Sequence, residues 1–398
     1  MEEDQIQSVS FNPPLWRQRR SFILETLKKH KITTVLDYGC GEASVLAFLI
    51  PPSTDDVHFI KLAGLDIEKD VLEEAIAACQ PWDTDYSHLR EKPLMIDIFQ
   101  GSVDQPDRRL FGYEAIVCSE VIEHLYSPTL SGFFQVALGS YSPRLLIVTT
   151  PNAEYNVHFA ALNYGQPDAI FRHDDHKFEW SRKEFETWCI AGATRYHYKV
   201  QFHGIGLVDG KSYDESTGYC TQACIFTRSE DHPGPIVPEA EPHQLLQHIE
   251  FPYYSEPTLP DYRIFEEIEG FMQNLCVAEE CYAPQKSEPH LSGPWKEWYE
   301  LNWIPSDSHE LPTPPIVEKK NQWTRTPLQV PVAALWDILR IRQICGTVSC
   351  MTKLLSTHPD DYELQGEFII VKKSFEILED DDQDLIKSVS SDNESEGQ

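Results

Sequence analysis

The sequence has little positive charge. Its 398 residues include 33 Lys and Arg against 64 Asp and Glu, which gives a formal net charge of −31. Because phosphate backbones are bound mainly through Lys and Arg, this balance argues against a protein that coats nucleic acid by charge. The hydrophobic fraction of 41% and the aromatic fraction of 11% nevertheless exclude a wholly disordered chain. The length allows one large domain or two ordinary ones.

Signals for export, membrane insertion and zinc ribbons are also missing. The chain opens MEEDQIQSV, without the charged and then apolar segments of a signal peptide. No apolar run approaches the roughly 18 residues of a membrane span. We therefore expect a cytoplasmic protein without a membrane partner, whose ten cysteines stay reduced. The close pairs Cys220/Cys224, Cys276/Cys281 and Cys345/Cys350 lack the repeated two-residue gap of a zinc ribbon.

Acidic residues are in greater excess in the second half of the chain. Residues 1–228 carry 32 acidic and 21 basic side chains, and residues 229–398 carry 32 and 12. A Pro- and Glu-rich stretch starts at Ser229, and an acidic, Ser-containing stretch starts at Glu379. These shifts in composition predict a folded domain over 1–228, a linker over 229–262, a partly ordered region over 263–378 and a disordered tail over 379–398.

Strand and helix patterns alternate along the first domain. Two short apolar runs end in Asp37 and Asp66, and each is followed by a helical pattern. Five further strand patterns follow. Alternation of this kind predicts an α/β fold with a mostly parallel, seven-stranded sheet and helices on both faces. Beyond it, the sequence predicts an acidic and partly irregular region with an amphipathic stretch at 333–344 and a strand within 366–378.

A glycine turn, Asp37-Tyr38-Gly39-Cys40-Gly41, joins the first strand to the first following helix. Glycines there let the backbone approach a ligand at the carboxyl edge of the sheet. Because this spacing differs from G-x-G-x-x-G, a dinucleotide ligand is disfavoured. The pattern D-x-G-x-G is that of S-adenosylmethionine-dependent methyltransferases. Asp66, at the end of the second strand, could accept both ribose hydroxyls of an adenosine, and Ser102 lies where such enzymes hold adenine. The alternative is a tight turn with a solvent-facing aspartate.

A candidate metal site follows the fourth strand, in the sequence Ser119-Glu120-Val121-Ile122-Glu123-His124-Leu125. If this segment is helical, Glu120, Glu123 and His124 share one face, and two carboxylates with an imidazole can hold a divalent cation. His173 and His176 follow the fifth strand, and either could complete a Glu-Glu-His-His site. The alternatives are an ordinary polar helix face and histidines without a ligand.

Four motifs together resemble the Hua-enhancer family of small-RNA 3′-terminal 2′-O-methyltransferases. They are F-N-P-P-L-W-R-Q-R-R, E-V-I-E-H-L, T-P-N-x-E-Y-N and D-H-K-F-E-W, all within residues 11–228. The resemblance implies a Rossmann-like class I methyltransferase that transfers the methyl group of S-adenosylmethionine to the 2′-hydroxyl of a terminal nucleotide.

The same resemblance implies roles for individual residues. The metal ligands carry over to Glu120, Glu123, His124 and His176, holding Mg²⁺ or else Mn²⁺ or Co²⁺. The cofactor contacts carry over to Asp66 and Ser102. The loop with Asp37, Gly39 and Gly41 surrounds the methionine end.

Substrate and partners follow from the animal branch of that family. Its members act on PIWI-interacting RNAs, which implies a PIWI/Argonaute-type carrier protein and germline RNA granules. Separately, the sequence shows no double-stranded RNA-binding or RRM-type pattern, which suggests single-stranded 3′ ends presented by a carrier. We expect a monomer with weak affinity for free RNA. Basic side chains that could contact phosphates are Arg17, Arg19, Arg20, Lys177, Arg182 and Lys183. The alternatives are a small-molecule O-methyltransferase, which shares D-x-G-x-G and E-x-x-E-H, and a non-catalytic protein that binds RNA ends.

Overall fold

The computed structural model describes residues 9–52, 57–277 and 328–373. The chain divides into two compact units, Met1–Tyr254 and Ser255–Gln398. Among the described residues, no helix combines the length and the apolar character needed to span a bilayer.

The first unit is built on an eight-stranded sheet. Its strands are β1 Thr34–Tyr38, β2 Lys61–Asp66, β3 Leu94–Gln100, β4 Ala115–Ser119, β5 Leu145–Pro151, β6 Tyr198–Ile205, β7 Thr221–Arg228 and β8 Gln244–Phe251. Their spatial order is β6-β7-β5-β4-β1-β2-β3-β8. The pairs among β1 to β5 are parallel, whereas β7 is antiparallel to β5 and β6, and β8 is antiparallel to β3. The order reverses between β1 and β4, which is where open α/β sheets bind ligands.

Helices cover both faces of this sheet. They are α1 Leu15–Lys29, α2 Ser44–Leu49, α3 Lys69–Ala78, α4 Asp83–Ser87, α5 Ser127–Phe134 and α6 Arg182–Tyr196, with a π-helical stretch Gln135–Tyr141 after α5. Alternate strand residues enter two separate cores. Val35 and Leu62 pack in the core that contains Leu27 of α1. Leu36 and Ala63 pack in the core that contains Phe133 of α5.

The sheet has one strand more than expected, because β8 lies within the predicted linker 229–262. Pro and Glu dominate the sequence before β8, but Ile249 and Phe251 alternate with polar residues and are buried. They pair with Ile96 and Leu94 of β3 and so cover an edge that would otherwise be open. The compact unit accordingly extends to Tyr254 rather than to residue 228.

The second unit has its own small core. Its elements are α7 Asp261–Val277, β9 Leu328–Pro331, α8 Val332–Trp336, α9 Leu339–Cys345, α10 Val348–Ser356, β10 Tyr362–Gln365 and β11 Phe368–Val371. The strands form an antiparallel sheet in the order β10-β11-β9, which confirms the strand expected within 366–378. Residues 374–398, which include the predicted tail, lie outside the described residues.

Candidate active site

The glycine turn after β1 has the backbone geometry that its sequence predicts. Gly39 and Gly41 have φ values of +68° and +51°, which side chains other than glycine adopt at a cost. A Cβ on Gly39 would lie 2.6 Å from both methyl groups of Val121. Around Gly41, by contrast, a Cβ would meet nothing within 4 Å. The turn is therefore held tightly against the segment after β4 and leaves open space on its other side.

Asp66 is brought directly to this turn. Its Oδ2 accepts a 2.9 Å hydrogen bond from the Gly41 N–H, and its Oδ1 accepts one of 3.0 Å from the Glu68 N–H. Ser102 lies on the same edge, because the N–H of the preceding Gly101 donates to the carbonyl of Asp66. The Ser102 hydroxyl donates to Asp104 at 2.6 Å. The ends of β2 and β3 therefore meet beside the glycine turn.

Asp37 is a buried acid. Its residue is 2% exposed, and its Oδ2 has no hydrogen-bond partner among the described residues. Burial, and then the nearby Asp66, raise the pKa of its carboxyl well above the usual range. An unpaired buried charge is costly, and a cationic ligand would offset that cost. S-adenosylmethionine, which carries an ammonium and a sulfonium, therefore fits the residues present.

Glu123, His124 and His176 form a cluster of potential metal ligands. One donor atom from each lies within 4.8 Å of the others. Glu123 is fully buried. Its Oε2 accepts a 2.8 Å hydrogen bond from Thr150 Oγ1, and its Oε1 has no partner among the residues described. Burial, and then Glu120, raise the pKa of the Glu123 carboxyl well above its ordinary value. A buried carboxylate oxygen beside two imidazoles fits a divalent cation.

Each imidazole of the cluster is oriented by a carboxylate. His124 Nδ1 lies 3.0 Å from Asp175 Oδ2, and His176 Nδ1 lies 2.6 Å from Glu179 Oε1. If Nδ1 donates to the carboxylate, the lone pair of Nε2 is free for a ligand, as in carboxylate–histidine–metal arrangements. Desolvation, and then His176, lower the pKa of His124, which favours the neutral ring that a metal needs.

Glu179 belongs to a polar network that sequence analysis missed. Besides His176, it accepts hydrogen bonds from the Arg172 N–H and from Asn156 Nδ2. Burial raises the pKa of the Glu179 carboxyl, but these hydrogen bonds outweigh that effect and keep the pKa below its usual value. The Arg172 guanidinium donates to Asn156 Oδ1 and to the carbonyl of Asn152. The only sequence signal was that Glu179 follows His176 by three residues in D-H-K-F-E-W.

Glu120 lies next to the cluster but outside it. Its Oε1 accepts a 2.7 Å hydrogen bond from Thr149 Oγ1, and its Oε2 lies 3.4 Å from Arg19 Nη1.

The prediction of a helix over the segment Ser119–Leu125 is wrong. Glu120 has φ +56°, and Ile122–His124 forms a single 3₁₀ turn. Val121 must pack against Gly39 while Ile122 enters the core, and a regular helix does not provide that sharp bend.

His173 lies near the cluster without joining it. Its ring centroid is 6.0 Å from that of His124 and 5.7 Å from that of His176, and its Nδ1 accepts a hydrogen bond from the Asp175 N–H. The fold therefore brings His176, rather than His173, to the set of donor atoms.

Several basic side chains near the site already have acidic or aromatic partners. Arg19 lies beside Glu120, Arg182 bonds to Glu154, and Lys177 bonds to Asp175. Lys177 also lies 4.9 Å from the ring centroid of Tyr126, and the guanidinium of Arg20 lies 4.5 Å from that of Trp16. Much of this positive charge is therefore compensated within the chain.

Comparisons with known proteins identify relatives of this chain. No family model matches the chain. A small RNA 2′-O-methyltransferase of Gallus gallus is 28% identical over 366 residues, which cover 87% of this chain and 91% of that protein. That of Mus musculus is 36% identical over 261 residues, with coverages of 65% and 62%. That of Drosophila melanogaster is 31% identical over 282 residues, with coverages of 67% and 70%.

Among solved structures, the small RNA methyltransferase HEN1 is 27% identical, with a TM-score of 0.50, and the match covers 61% of this chain and 29% of that one. The expected Rossmann-like methyltransferase fold is thereby confirmed. The identity to the Drosophila protein over more than two thirds of its length establishes that the chain belongs to the small RNA 2′-O-methyltransferase family.

Proposed function

We propose that this protein transfers a methyl group from S-adenosylmethionine to the 2′-hydroxyl of the 3′-terminal nucleotide of small single-stranded RNAs, with the help of a divalent cation. The observation that carries the proposal is the Glu123, His124 and His176 cluster, whose donor atoms lie within 4.8 Å of one another. It lies after β4 and β5, on the sheet edge that also carries the glycine turn.

The glycine turn and its neighbours hold the cofactor in this proposal. Asp37 pairs with its positive charge, Gly39 and Gly41 allow its close approach, and Asp66 and Ser102 bind its adenosine end. S-adenosylmethionine supplies the electrophilic methyl group. The residues of the turn orient it toward the segment after β4, against which Gly39 packs through Val121.

Glu120, Glu123, His124 and His176 are the proposed ligands of Mg²⁺, with Mn²⁺ or Co²⁺ as alternatives. A bound cation supplies a Lewis acid that lowers the pKa of a ribose hydroxyl. Thr150 fixes the Glu123 carboxylate, and Asp175 and Glu179 fix the two imidazoles. These residues keep the ligand set oriented before the RNA arrives.

The natural substrates that we propose are PIWI-interacting RNAs, whose 3′ ends the modification would protect. Arg19, Arg182 and Lys177 are each paired with an acidic side chain of this chain, so a PIWI/Argonaute-type carrier protein is proposed to supply much of the affinity. We place this activity in the cytoplasm, in germline RNA granules, with the protein acting as a monomer and its first unit as the methyltransferase domain.

The test is transfer of labelled methyl from S-adenosylmethionine to a single-stranded small RNA, with and without a chelator. The proposal expects label on the 3′ nucleotide, protection of that end from periodate oxidation, and loss of both with chelator. Methylation of a small hydroxylated molecule but of no RNA would favour the small-molecule alternative. RNA binding without transfer under saturating cofactor and cation would favour a non-catalytic protein.

A matched pair of variants tests the metal ligands. Glu123→Gln removes the charge of the buried carboxylate at nearly constant size, and Glu73→Gln makes the same change on the exposed side of α3. We expect loss of transfer in the first variant and normal transfer in the second. Full activity of Glu123→Gln in excess Mg²⁺ would contradict the proposed role.

A further inference from the structure

A half-open cavity of about 220 Å³ lies between the start of α6 and the β6–β7 pair. It contains none of the residues of the glycine turn or of the Glu123 cluster. Its walls combine four aromatic rings with polar side chains. Those used below are Arg182, Phe185, Phe202, Tyr213, Tyr219 and Gln222.

The cavity is close to the candidate metal site. Gln222 pairs with Thr150 across β7 and β5, and the Thr150 hydroxyl donates to the Glu123 carboxylate. Neighbouring strands lie about 4.8 Å apart. The Gln222 amide also donates to the carbonyls of Pro151 and Trp180. The cavity wall at Gln222 therefore lies one strand away from Thr150, whose hydroxyl holds the Glu123 carboxylate of the proposed metal site.

Aromatic rings form the walls of the cavity. Tyr213 and Tyr219 lie with their ring centroids 5.1 Å apart, and Phe185 lies 6.3 Å from Phe202. A Cβ on Gly204 would lie 2.0 Å from the Tyr219 ring, so the glycine makes room for that ring. Tyr213 is 52% exposed and offers a free aromatic surface. Planar ligands, nucleobases above all, stack on such surfaces.

The polar groups of the cavity favour an uncharged ligand with a hydrogen-bond donor. Gln222 is 5% exposed, and its Oε1 has no hydrogen-bond partner among the described residues. The charge of Arg182 is already paired with Glu154, and its guanidinium also donates to the carbonyls of Glu215 and Ser216. A phosphate would find little free positive charge here, whereas a base N–H could satisfy the buried acceptor.

We infer that this cavity binds the base of the penultimate nucleotide of the RNA, stacked against Tyr213 and Tyr219 and hydrogen-bonded to Gln222 Oε1. The inference rests on the proposed function, because it takes the terminal ribose to lie at the Glu123 cluster. The enzyme thus reads two positions of the 3′ end, the last ribose and the base before it.

Abasic substrates and a tyrosine variant test the inference together. Removing the penultimate base should raise the KM for RNA about tenfold, and Tyr213→Ala should do the same on intact RNA. On the abasic RNA, Tyr213→Ala should have little further effect, because the two changes remove the same contact. The KM for S-adenosylmethionine should not change. Tyr86→Ala, at a Tyr that is 62% exposed on α4, is the matched control.

Crosslinking provides a readout that does not depend on turnover. An RNA with 4-thiouridine at the penultimate position should crosslink to the peptide that contains Tyr213 or Tyr219, and one with 4-thiouridine several nucleotides upstream should not.

The outcomes separate this inference from the proposed function. If the wild-type protein methylates no RNA 3′ end, the proposed function fails. If it methylates RNA but neither the abasic substitution nor Tyr213→Ala changes the KM, the cavity inference alone fails. An effect confined to the terminal base would also overturn it, since the cavity would then take a different nucleotide. A cavity that serves a protein partner would leave all measurements on free RNA unchanged.

Discussion

Glu179 fixes His176 without belonging to the proposed ligand set. Its carboxylate accepts from His176 Nδ1 at 2.6 Å and is 1% exposed, and Arg172 and Asn156 hold it from the other side. We expect Glu179→Gln to weaken Mg²⁺ binding about 10- to 100-fold, because it weakens the hydrogen bond that orients the imidazole. Titration calorimetry measures that affinity directly.

Activity as a function of Mg²⁺ concentration distinguishes a positioning role from a purely structural one. Transfer by Glu179→Gln should recover at high Mg²⁺, while the KM for S-adenosylmethionine stays unchanged. Glu73→Gln, on an exposed face of α3, is the control. Wild-type cation affinity in Glu179→Gln would contradict the positioning role.

Gly39 combines two constraints that can be separated by substitution. Its φ of +68° disfavours any Cβ, and a Cβ would also lie 2.6 Å from the Val121 methyl groups. Gly112 has φ +92° but open space around it. We expect Gly112→Ala to cost about 1–2 kcal/mol of unfolding free energy, and Gly39→Ala to cost more and to weaken cofactor binding. Urea unfolding measures both, and equal costs would mean that Val121 adds no constraint.

At the residue scale, the sequence predicted which residues form the candidate metal site better than it predicted the hydrogen bonds around them. The spacing of Glu123 and His124 and the D-H-K-F-E-W motif, which contains His176, indicated three ligands, and in the structure their donor atoms lie close together. The roles of Arg172 and Asn156 could not be predicted, because their partners lie 7 to 48 residues away in sequence. No local pattern records which distant carbonyl a guanidinium will reach.

Among the elements, strands were predicted more reliably than the turns between them. Within the runs 33–37 and 144–151, residues 35–37 and 145–151 are buried on both faces, so their composition alone indicates strands. The segment after β4 was expected to be a helix because i, i+3 and i+4 positions carry ligands. The structure shows a left-handed residue and a 3₁₀ turn instead, since packing against Gly39 overrides local propensity.

The pairing of β8 with β3 includes a titratable contact. His248 lies 2.6 Å from Asp97 and 3.1 Å from Glu250, and these hydrogen bonds raise its pKa above 6.5. A raised pKa means that the contact stabilises the fold fully below pH 6.5 and that this contribution is lost as the pH rises through the folded-state value.

The corresponding prediction concerns His248→Gln. The variant should be less stable than the wild type at pH 6 by well under about 1 kcal/mol, because the contact is largely exposed, and the difference should vanish near pH 9. Urea unfolding at both pH values measures it, with the exposed His88→Gln as control. A difference that persists unchanged at pH 9 would show that lost packing, not charge, is responsible.

For the whole molecule, the position of the boundary between the two units determines how the acidic charge is divided between them. Division at residue 228 gave −11 and −20, whereas division after Tyr254, where the compact unit ends, gives −16 and −15. The acid excess is therefore not a property of the C-terminal unit alone. Within the first unit, Asp37, Asp66, Glu120 and Glu123 are acids that the proposed cofactor and cation require, so a negative charge is compatible with action on an RNA end.

Two truncations test whether the first unit folds and works without the second. The core residues of the second unit come from positions 264–371, and those of the first unit all precede Tyr254. We therefore expect a protein of residues 1–254 to fold and to methylate free RNA at a rate close to that of the full chain.

A protein of residues 1–228 lacks β8, so Ile249 and Phe251 no longer cover β3. That loss should cost about 3–6 kcal/mol and leave an open edge prone to aggregation. Urea unfolding, light scattering and the methyl-transfer assay measure these effects. An insoluble or inactive 1–254 protein would show instead that the C-terminal unit is needed for folding or for catalysis.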